Sequence, residues 1–407
     1  MKKVSVFIIF LALLLSFSVL TGFGYKESLK RKSALAIDIN NEKSTENDYN
    51  YEAKSKELIL LDGASGTVIY KHNVSERRPI ASMCKVMTLL LTFEEIDNGN
   101  LSESDVVCVS ENAAGMGGSQ VFLEANAEYP VSELIKSIVV ASANDSCVAL
   151  AELICGSESE FVDKMNERAK KLGMDNTLFA NCTGLPKDTQ YSCAEDVAKM
   201  FSELIKHKEY FNYSSIWMDD IHHPNDRVTQ ISNTNKLIRF YNGCDCGKTG
   251  YTSEAGHCLV ASAFRDGTRL ICVAIGSPDS KARFNEVSNM FNYGFANYCT
   301  RKIIDDNKPI LVKLNSSNGK KDTVGVYTDK PLVLFAKKNE KRVVELEYIP
   351  LENIKAPIKK DDIIGKVIVL ENGKEIMSAN LLANEDIAEK NYSDRVNDLI
   401  NNWSLAS

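Results

Sequence analysis

Strand-like runs stand at both ends of residues 56–301, and helical periodicity fills the stretch between them. Leu58-Ile59-Leu60-Leu61, the turn Asp62-Gly63-Ala64-Ser65-Gly66 and Thr67-Val68-Ile69-Tyr70 read as strand, turn and strand. Apolar residues at 83, 86, 87, 90 and 93 mark one helical face, stopped by Asn98-Gly99. Residues 133–140, 145–154 and 161–172 continue the helical pattern. Towards the far end, Cys258 to Phe264 and Arg269 to Ile275 flank Arg265-Asp266-Gly267-Thr268, which predicts a tight hairpin. A last helix follows, with Phe284, Val287, Phe291 and Phe295 on one face. Such a chain buries its strands best by joining both ends in one sheet with helices packed on it, an α/β unit over 56–301.

A chain of 407 residues is long enough for a second unit. Past Asp305-Asp306-Asn307-Lys308-Pro309 come short β runs separated by charged turns: Ile310 to Leu314, Thr323 to Tyr327, Leu332 to Phe335, Val343 to Ile349 and Val367 to Leu370. They predict a small all-β domain over 308–380. Residues 384–403 read as an amphipathic helix using Ile387, Val396, Leu399, Ile400 and Trp403. Its acidic balance argues against an anionic membrane surface, which prefers Lys and Arg on the polar face. At the other end, Met1-Lys2-Lys3 and the apolar run Val4 to Leu20 read as an export signal over residues 1–24, or as an uncleaved anchor. Either way the body is expected outside the cytoplasm. Residues 25–55, polar apart from Ala34-Leu35-Ala36-Ile37, read as a linker.

The net charge of −7 lacks the basic footprint of a nucleic-acid binder. Eleven cysteines in irregular spacing do not form a disulfide framework, and most sit in apolar runs as small hydrophobes. An exported chain with so many thiols suggests an organism living without oxygen. Cys244-Asp245-Cys246 with His257 and Cys258 matches no structural zinc spacing, so no metal and no cofactor are expected.

No G-x-S-x-G elbow is present for a Ser-His-Asp hydrolase. A serine activated by lysine is the alternative. Ser-x-x-Lys occurs at Ser82–Lys85 and at Ser317–Lys320; the second lies in a turn-forming run, whereas Ser82 opens a helix and Lys85 follows on the same face. Backbone N–H groups stand free at such a helix start. A lysine acts as a base only when burial or a second cation keeps it neutral. Lys248-Thr249-Gly250, just before the hairpin, offers that cation at the start of an edge strand along which a substrate backbone could lie. Ser-x-Asn occurs at 110–112, 142–144 and 316–318; only Ser142-Ala143-Asn144 falls in a break between two helices, where both side chains can project into a cleft. Each motif alone has a structural explanation, such as Asn144 capping the next helix. Their order and setting match the trio of penicillin-binding proteins and class A β-lactamases.

The chain resembles the serine D-Ala-D-Ala carboxypeptidases, the low-molecular-mass penicillin-binding proteins. Carrying the resemblance are Pro79 to Thr88 around Ser82, with Cys84 where Thr is usual, Ala141 to Asp145, Asn181-Cys182-Thr183-Gly184-Leu185, Lys248 to Thr252 and Arg283 to Glu286. It implies the DD-peptidase/β-lactamase-like sandwich, an antiparallel sheet with helices and a helical subdomain, followed by a C-terminal β domain. It implies Ser82 as nucleophile, Lys85 as base and Ser142 as proton relay. Asn144, Lys248, Thr249, Gly250, Tyr251 and Arg283 would contact the substrate, with Thr249 and Arg283 on its terminal carboxylate. Backbone N–H groups of Ser82 and Tyr251 would form the oxyanion hole. The implied partners are peptidoglycan stem peptides ending in D-Ala-D-Ala and, as inhibitors, β-lactams, at the outer face of the cytoplasmic membrane or in the cell wall. A class A β-lactamase would need a Glu-x-x-Leu-Asn segment between Asn144 and Lys248, which is missing. A catalytically silent wall scaffold would not need the full trio.

Overall fold

In this computed structural model the described residues are 31–38, 49–305 and 308–404; the segment read as an export signal lies outside them. The chain divides into two compact units, Ser44–Thr300 and a second made of Met1–Lys43 with Arg301–Ser407.

The first unit is built on a five-stranded antiparallel sheet. Its strands are β1 (Glu57–Asp62), β2 (Val68–His72), β3 (Cys244–Thr252), β4 (Gly256–Arg265) and β5 (Thr268–Ser277), in the order β2-β1-β5-β4-β3. The two ends of the segment therefore meet at the β1–β5 pair, where Leu60 lies opposite Cys272. Every residue of β1 is buried, because the strand has a neighbour on each side and packing on both faces. The β4–β5 turn has positive φ at Asp266 (48°) and Gly267 (80°), the conformation a two-residue hairpin turn requires.

Six longer helices accompany the sheet: α1 (Lys85–Asp97), α2 (Val131–Ala141), α3 (Asn144–Cys155), α4 (Glu158–Lys171), α5 (Ala194–Leu204) and α6 (Ser280–Asn297). The α6 side of the sheet has its own core, with Leu58, Leu60, Cys272, Val287 and Phe291. A larger core joins the opposite side to α1–α5. Helix α1 is almost wholly buried from Lys85 to Phe93, so it runs through the molecule rather than over it.

The second unit is a six-stranded antiparallel sheet in the order 31–38, 341–350, 363–371, 374–383, 323–328, 310–315. Part of the stretch read as a linker is thus a strand: Arg31–Asp38 pairs along its whole length with Lys341–Pro350. The short run Ala34-Leu35-Ala36-Ile37 was its only mark in the sequence. The last strand ends at Ala383, beyond residue 380, and the terminal helix spans Tyr392–Ser404. Ile387 lies before that helix, paired with Ile358 and buried in the β core, so it is not part of an amphipathic face. Among the described residues no helix is long and apolar enough to cross a membrane.

Cysteine serves as core filling. All eleven are free thiols, and all but Cys108 and Cys155 are buried. Asp245, between Cys244 and Cys246, forms a two-pronged ion pair with Arg269.

Candidate active site

Ser82 lies in a 3-10 turn, Ala81–Cys84, that runs straight into α1. Residues three apart eclipse in such a turn, so Lys85 stands directly over Ser82. The turn is entered through a strained Ala81 (φ 48°) and is held by two glycines. A Cβ on Gly184 (φ 82°) would lie 2.0 Å from the Ala81 carbonyl oxygen, and one on Gly250 would lie 2.7 Å from the Ile80 carbonyl oxygen. Any larger residue at either place would push the serine out of position.

Lys85 is fully buried, and its Nζ donates to Ser82 Oγ at 3.0 Å and to the carbonyl oxygen of Thr183. Burial holds its pKa below the ordinary lysine value. Lys248, on edge strand β3, is equally buried; its Nζ donates to Ser142 Oγ at 2.7 Å and to the Thr249 carbonyl oxygen at 3.2 Å. Burial pulls it well below the ordinary value, and the neighbouring Lys85 adds to the depression. Two ammonium ions cannot share this dry space cheaply, so the charged form of both amines is disfavoured here.

Ser142 ends α2 in the left-handed conformation (φ 65°, ψ 34°), and Asn144 begins α3 two residues later. The break predicted between the two helices is this sharp turn, and it aims the serine at Lys248. Asn144 Nδ2 donates to the Gly117 carbonyl oxygen at 2.7 Å, while its buried Oδ1 has no hydrogen-bond partner. Asp145, fully buried, accepts from the backbone N–H groups of Val121 and Leu123, both at 3.1 Å, and so pins the 117–123 loop beside Asn144.

Strand β3 begins at Cys244, so Lys248 sits within the edge strand rather than at its start. Thr249 Oγ1 donates to Thr234 Oγ1 at 2.8 Å. Tyr251 is exposed, its ring 4.4 Å from that of His257. Arg283, in the first turn of α6, is buried rather than ion-paired at the surface. Its Nη1 donates to the carbonyl oxygens of Gly250 and Cys258, each at 3.0 Å, and its buried Nε has no partner. Lys85 and Arg283 both act electrostatically on Lys248, so three basic side chains are gathered here in an acidic chain. The other motif copies do different work. Ser317 hydrogen-bonds the Ile354 carbonyl oxygen in the second unit, Ser110 caps a short helix and Ser316 closes a turn.

The family model of D-alanyl-D-alanine carboxypeptidases matches residues 41–279. The chain belongs to this family. A model of the C-terminal domain of penicillin-binding protein 5 matches residues 298–389. The D-alanyl-D-alanine carboxypeptidase DacF of Bacillus subtilis is 39% identical over 355 residues, covering 87% of this chain and 90% of the relative. Penicillin-binding protein 5 of Haemophilus influenzae has a similar structure (TM-score 0.65, 31% identity, 83% of this chain and 99% of that one). So has penicillin-binding protein D2 of Listeria monocytogenes in its ampicillin-bound form (TM-score 0.54, 27% identity, 60% of this chain and 99% of that one).

In this serine-type D-alanyl-D-alanine carboxypeptidase, residues that carried no predicted role also brace the surroundings of Lys85. Asn181 is the chief of these. Its Oδ1 accepts from the Gly184 N–H at 2.7 Å and its Nδ2 donates to the Leu185 carbonyl oxygen at 2.9 Å, shaping the loop that presents Thr183 to Lys85. Thr88 Oγ1 ties α1 to the same loop through the Cys182 carbonyl oxygen at 2.7 Å. Cys84, where the family usually has Thr, fills a buried site and its thiol reaches the Asn181 carbonyl oxygen at 3.2 Å. The run Asn181 to Leu185 stood out only as resembling the family, and no spacing rule leads from it to Lys85.

Proposed function

We propose that the carboxypeptidase works through an acyl-enzyme on Ser82 and that penicillin acylates the same oxygen. The observation that carries this reading is the 3.0 Å contact between Ser82 Oγ and a fully buried Lys85 amine whose pKa is depressed. Ser82 Oγ attacks the carbonyl carbon between the two D-alanines of a peptidoglycan stem peptide, and its proton passes to Lys85 Nζ. The N–H groups of Ser82 and Tyr251 hold the resulting oxyanion; donors fixed in place ahead of the reaction contribute strongly there. As the C–N bond breaks, Ser142, hydrogen-bonded to Lys248, passes a proton to the departing D-alanine amine. Water then releases the acyl group.

Thr249 and Arg283 bind the terminal carboxylate at one end of β3, and Asn144 positions the acyl side. The buried Arg283 guanidinium makes an anionic chain end the favoured ligand, because opposite charge is attracted most strongly where water is excluded. The protein acts outside the cytoplasmic membrane, where the basic-then-apolar N-terminus would send it.

The test is D-alanine release from a peptide ending in D-Ala-D-Ala together with the fate of bound penicillin. The wild type should release D-alanine and shed penicillin slowly; Ser82→Ala should do neither. Rapid penicillin turnover would instead indicate a β-lactamase, and absence of labelling in the wild type a silent scaffold.

A further inference from the structure

Of four residues gathered on one face of the β3–β4 pair, three take part in the mechanism and the fourth, His257, does not. Thr249 and Tyr251 are two apart on β3 and so share a face. His257 lies directly opposite Tyr251 in the β3–β4 register, with the two rings 4.4 Å apart and inclined by 30°. Leu259, two residues further along β4, belongs to the core on the α6 side, so this face looks towards α6. Arg283 reaches it from the first turn of α6. Its Nη1 holds the carbonyl oxygens of Gly250 and Cys258, the neighbours in sequence of Tyr251 and His257.

Two buried nitrogens of this group, Arg283 Nε and His257 Nδ1, have no hydrogen-bond partner. The arginine as a whole is only 8% exposed. Two charged groups act on His257, both from the start of α6: Arg283, and against it Asp279, which caps the helix by accepting from the Ala282 N–H at 2.7 Å. Strand β5 places Ser277 opposite the histidine. Burial first, and then Arg283, hold the imidazole below its ordinary pKa. A free enzyme at neutral pH therefore keeps a neutral imidazole beside a guanidinium. An anion docked on Arg283 offsets that repulsion and gives an imidazolium a counter-charge.

We infer that His257 is a second, proton-dependent reader of the substrate's terminal carboxylate, neutral in the free enzyme and protonated from solvent as the carboxylate docks against Thr249 and Arg283. No covalent bond to the substrate forms in this step. Carboxylate binding and protonation then favour each other by the same factor, as linkage requires. A terminal carboxylate stays ionised above about pH 4, so the proton that tunes its binding belongs to the histidine. Preference for a free acid over its amide thus grows as pH falls below neutrality. This inference rests on the carboxypeptidase reading and adds a titrating residue to its carboxylate site.

The experiment uses a peptide ending in D-Ala-D-Ala and its terminal amide as competitors of penicillin acylation, which requires no turnover of the amide. Inhibition constants are measured on the full chain between about pH 5 and pH 8. For the wild type the free acid should bind about 3- to 10-fold more tightly at the acid end, and the amide should change less than about twofold. His257→Gln, which cannot titrate, should flatten the free-acid curve. His257→Phe keeps a ring against Tyr251 and should flatten it too, whereas a role confined to stacking would leave its curve like the wild type's. Thermal unfolding checks both variants, and the wild-type curve is decisive by itself. A free-acid constant that does not move with pH, or a slope that persists in either folded variant, would overturn the inference. Failure of the wild type to release D-alanine from the free acid would instead overturn the carboxypeptidase mechanism itself.

Discussion

At the scale of single residues, the chemistry turns on an amine that must be neutral to accept a proton. Burial is the main cause of the depressed Lys85 pKa, and the neighbouring buried amine of Lys248 is pulled down by burial and by Lys85. Lys85→Arg retains a cation but no neutral base, since a guanidinium stays protonated. Its rate of acylation by penicillin in stopped-flow should fall by about three orders of magnitude or more, the upper range for losing a general base. The same depression makes wild-type acylation rise with pH along a limb centred below the ordinary lysine value. The limb should be absent in Lys85→Arg. Arg283 poses a sharper question, because its Nη1 already braces β3 and β4. If it also reads the substrate carboxylate, Arg283→Ala should cost about 2–4 kcal/mol, roughly 30- to 1000-fold in kcat/KM, on the free acid. The loss should be much smaller on the terminal amide. Equal losses would leave it only the brace.

At the scale of elements, the positions that hold the serine turn are the ones least tolerant of change. Gly184→Ala places a methyl group 2.0 Å from the Ala81 carbonyl oxygen at a left-handed φ, so a shift of the turn is unavoidable. Acylation should drop at least 100-fold even where the variant remains folded by circular dichroism. Glu57, the first residue of β1, has a carboxyl that accepts from the Ala194 N–H at the start of α5, at 2.8 Å, and burial raises its pKa to about 7. Its folded pKa lies above the unfolded one, so the folded state holds the extra proton between about 4.5 and 7, and stability falls as pH rises through that window. Glu57→Gln should therefore gain on the wild type across that range, by on the order of 2–3 kcal/mol in urea titrations at the two pH limits. Much at this scale was readable in advance. The helices at 131–141 and 144–155 and the hairpin of β4 and β5 follow from local periodicity and turn chemistry. The hairpin of Met218–His222 with Val228–Ser232 does not, because its strands are short and polar and are fixed by tertiary packing. The trio Ser82–Lys85, Ser142–Asn144 and Lys248–Gly250 could be read because each motif is contiguous. Asn181, Gly184 and Thr234 could not, since their roles exist only once distant loops meet.

At the scale of the whole molecule, the chain visits one unit twice. The strand Arg31–Asp38 belongs to the sheet that begins again after residue 301, with the carboxypeptidase unit between. Polar composition hid this strand, as it hides most edge strands, which need little apolar surface. Without residues 31–38, the strand Lys341–Pro350 becomes an exposed edge. The β unit should lose about 1–3 kcal/mol in denaturant titrations, while acylation of Ser82 stays within twofold, because no residue of the site lies in that unit. Behind these predictions stands one claim, that Ser82, activated by its buried lysine, carries the acyl group. The most direct measurement is peptide mapping by mass spectrometry after brief exposure of the full chain to penicillin. The account predicts a single adduct on the peptide holding Ser82, abolished in Ser82→Ala. An adduct on another serine, Ser317 for example, or undiminished labelling of Ser82→Ala, would contradict it.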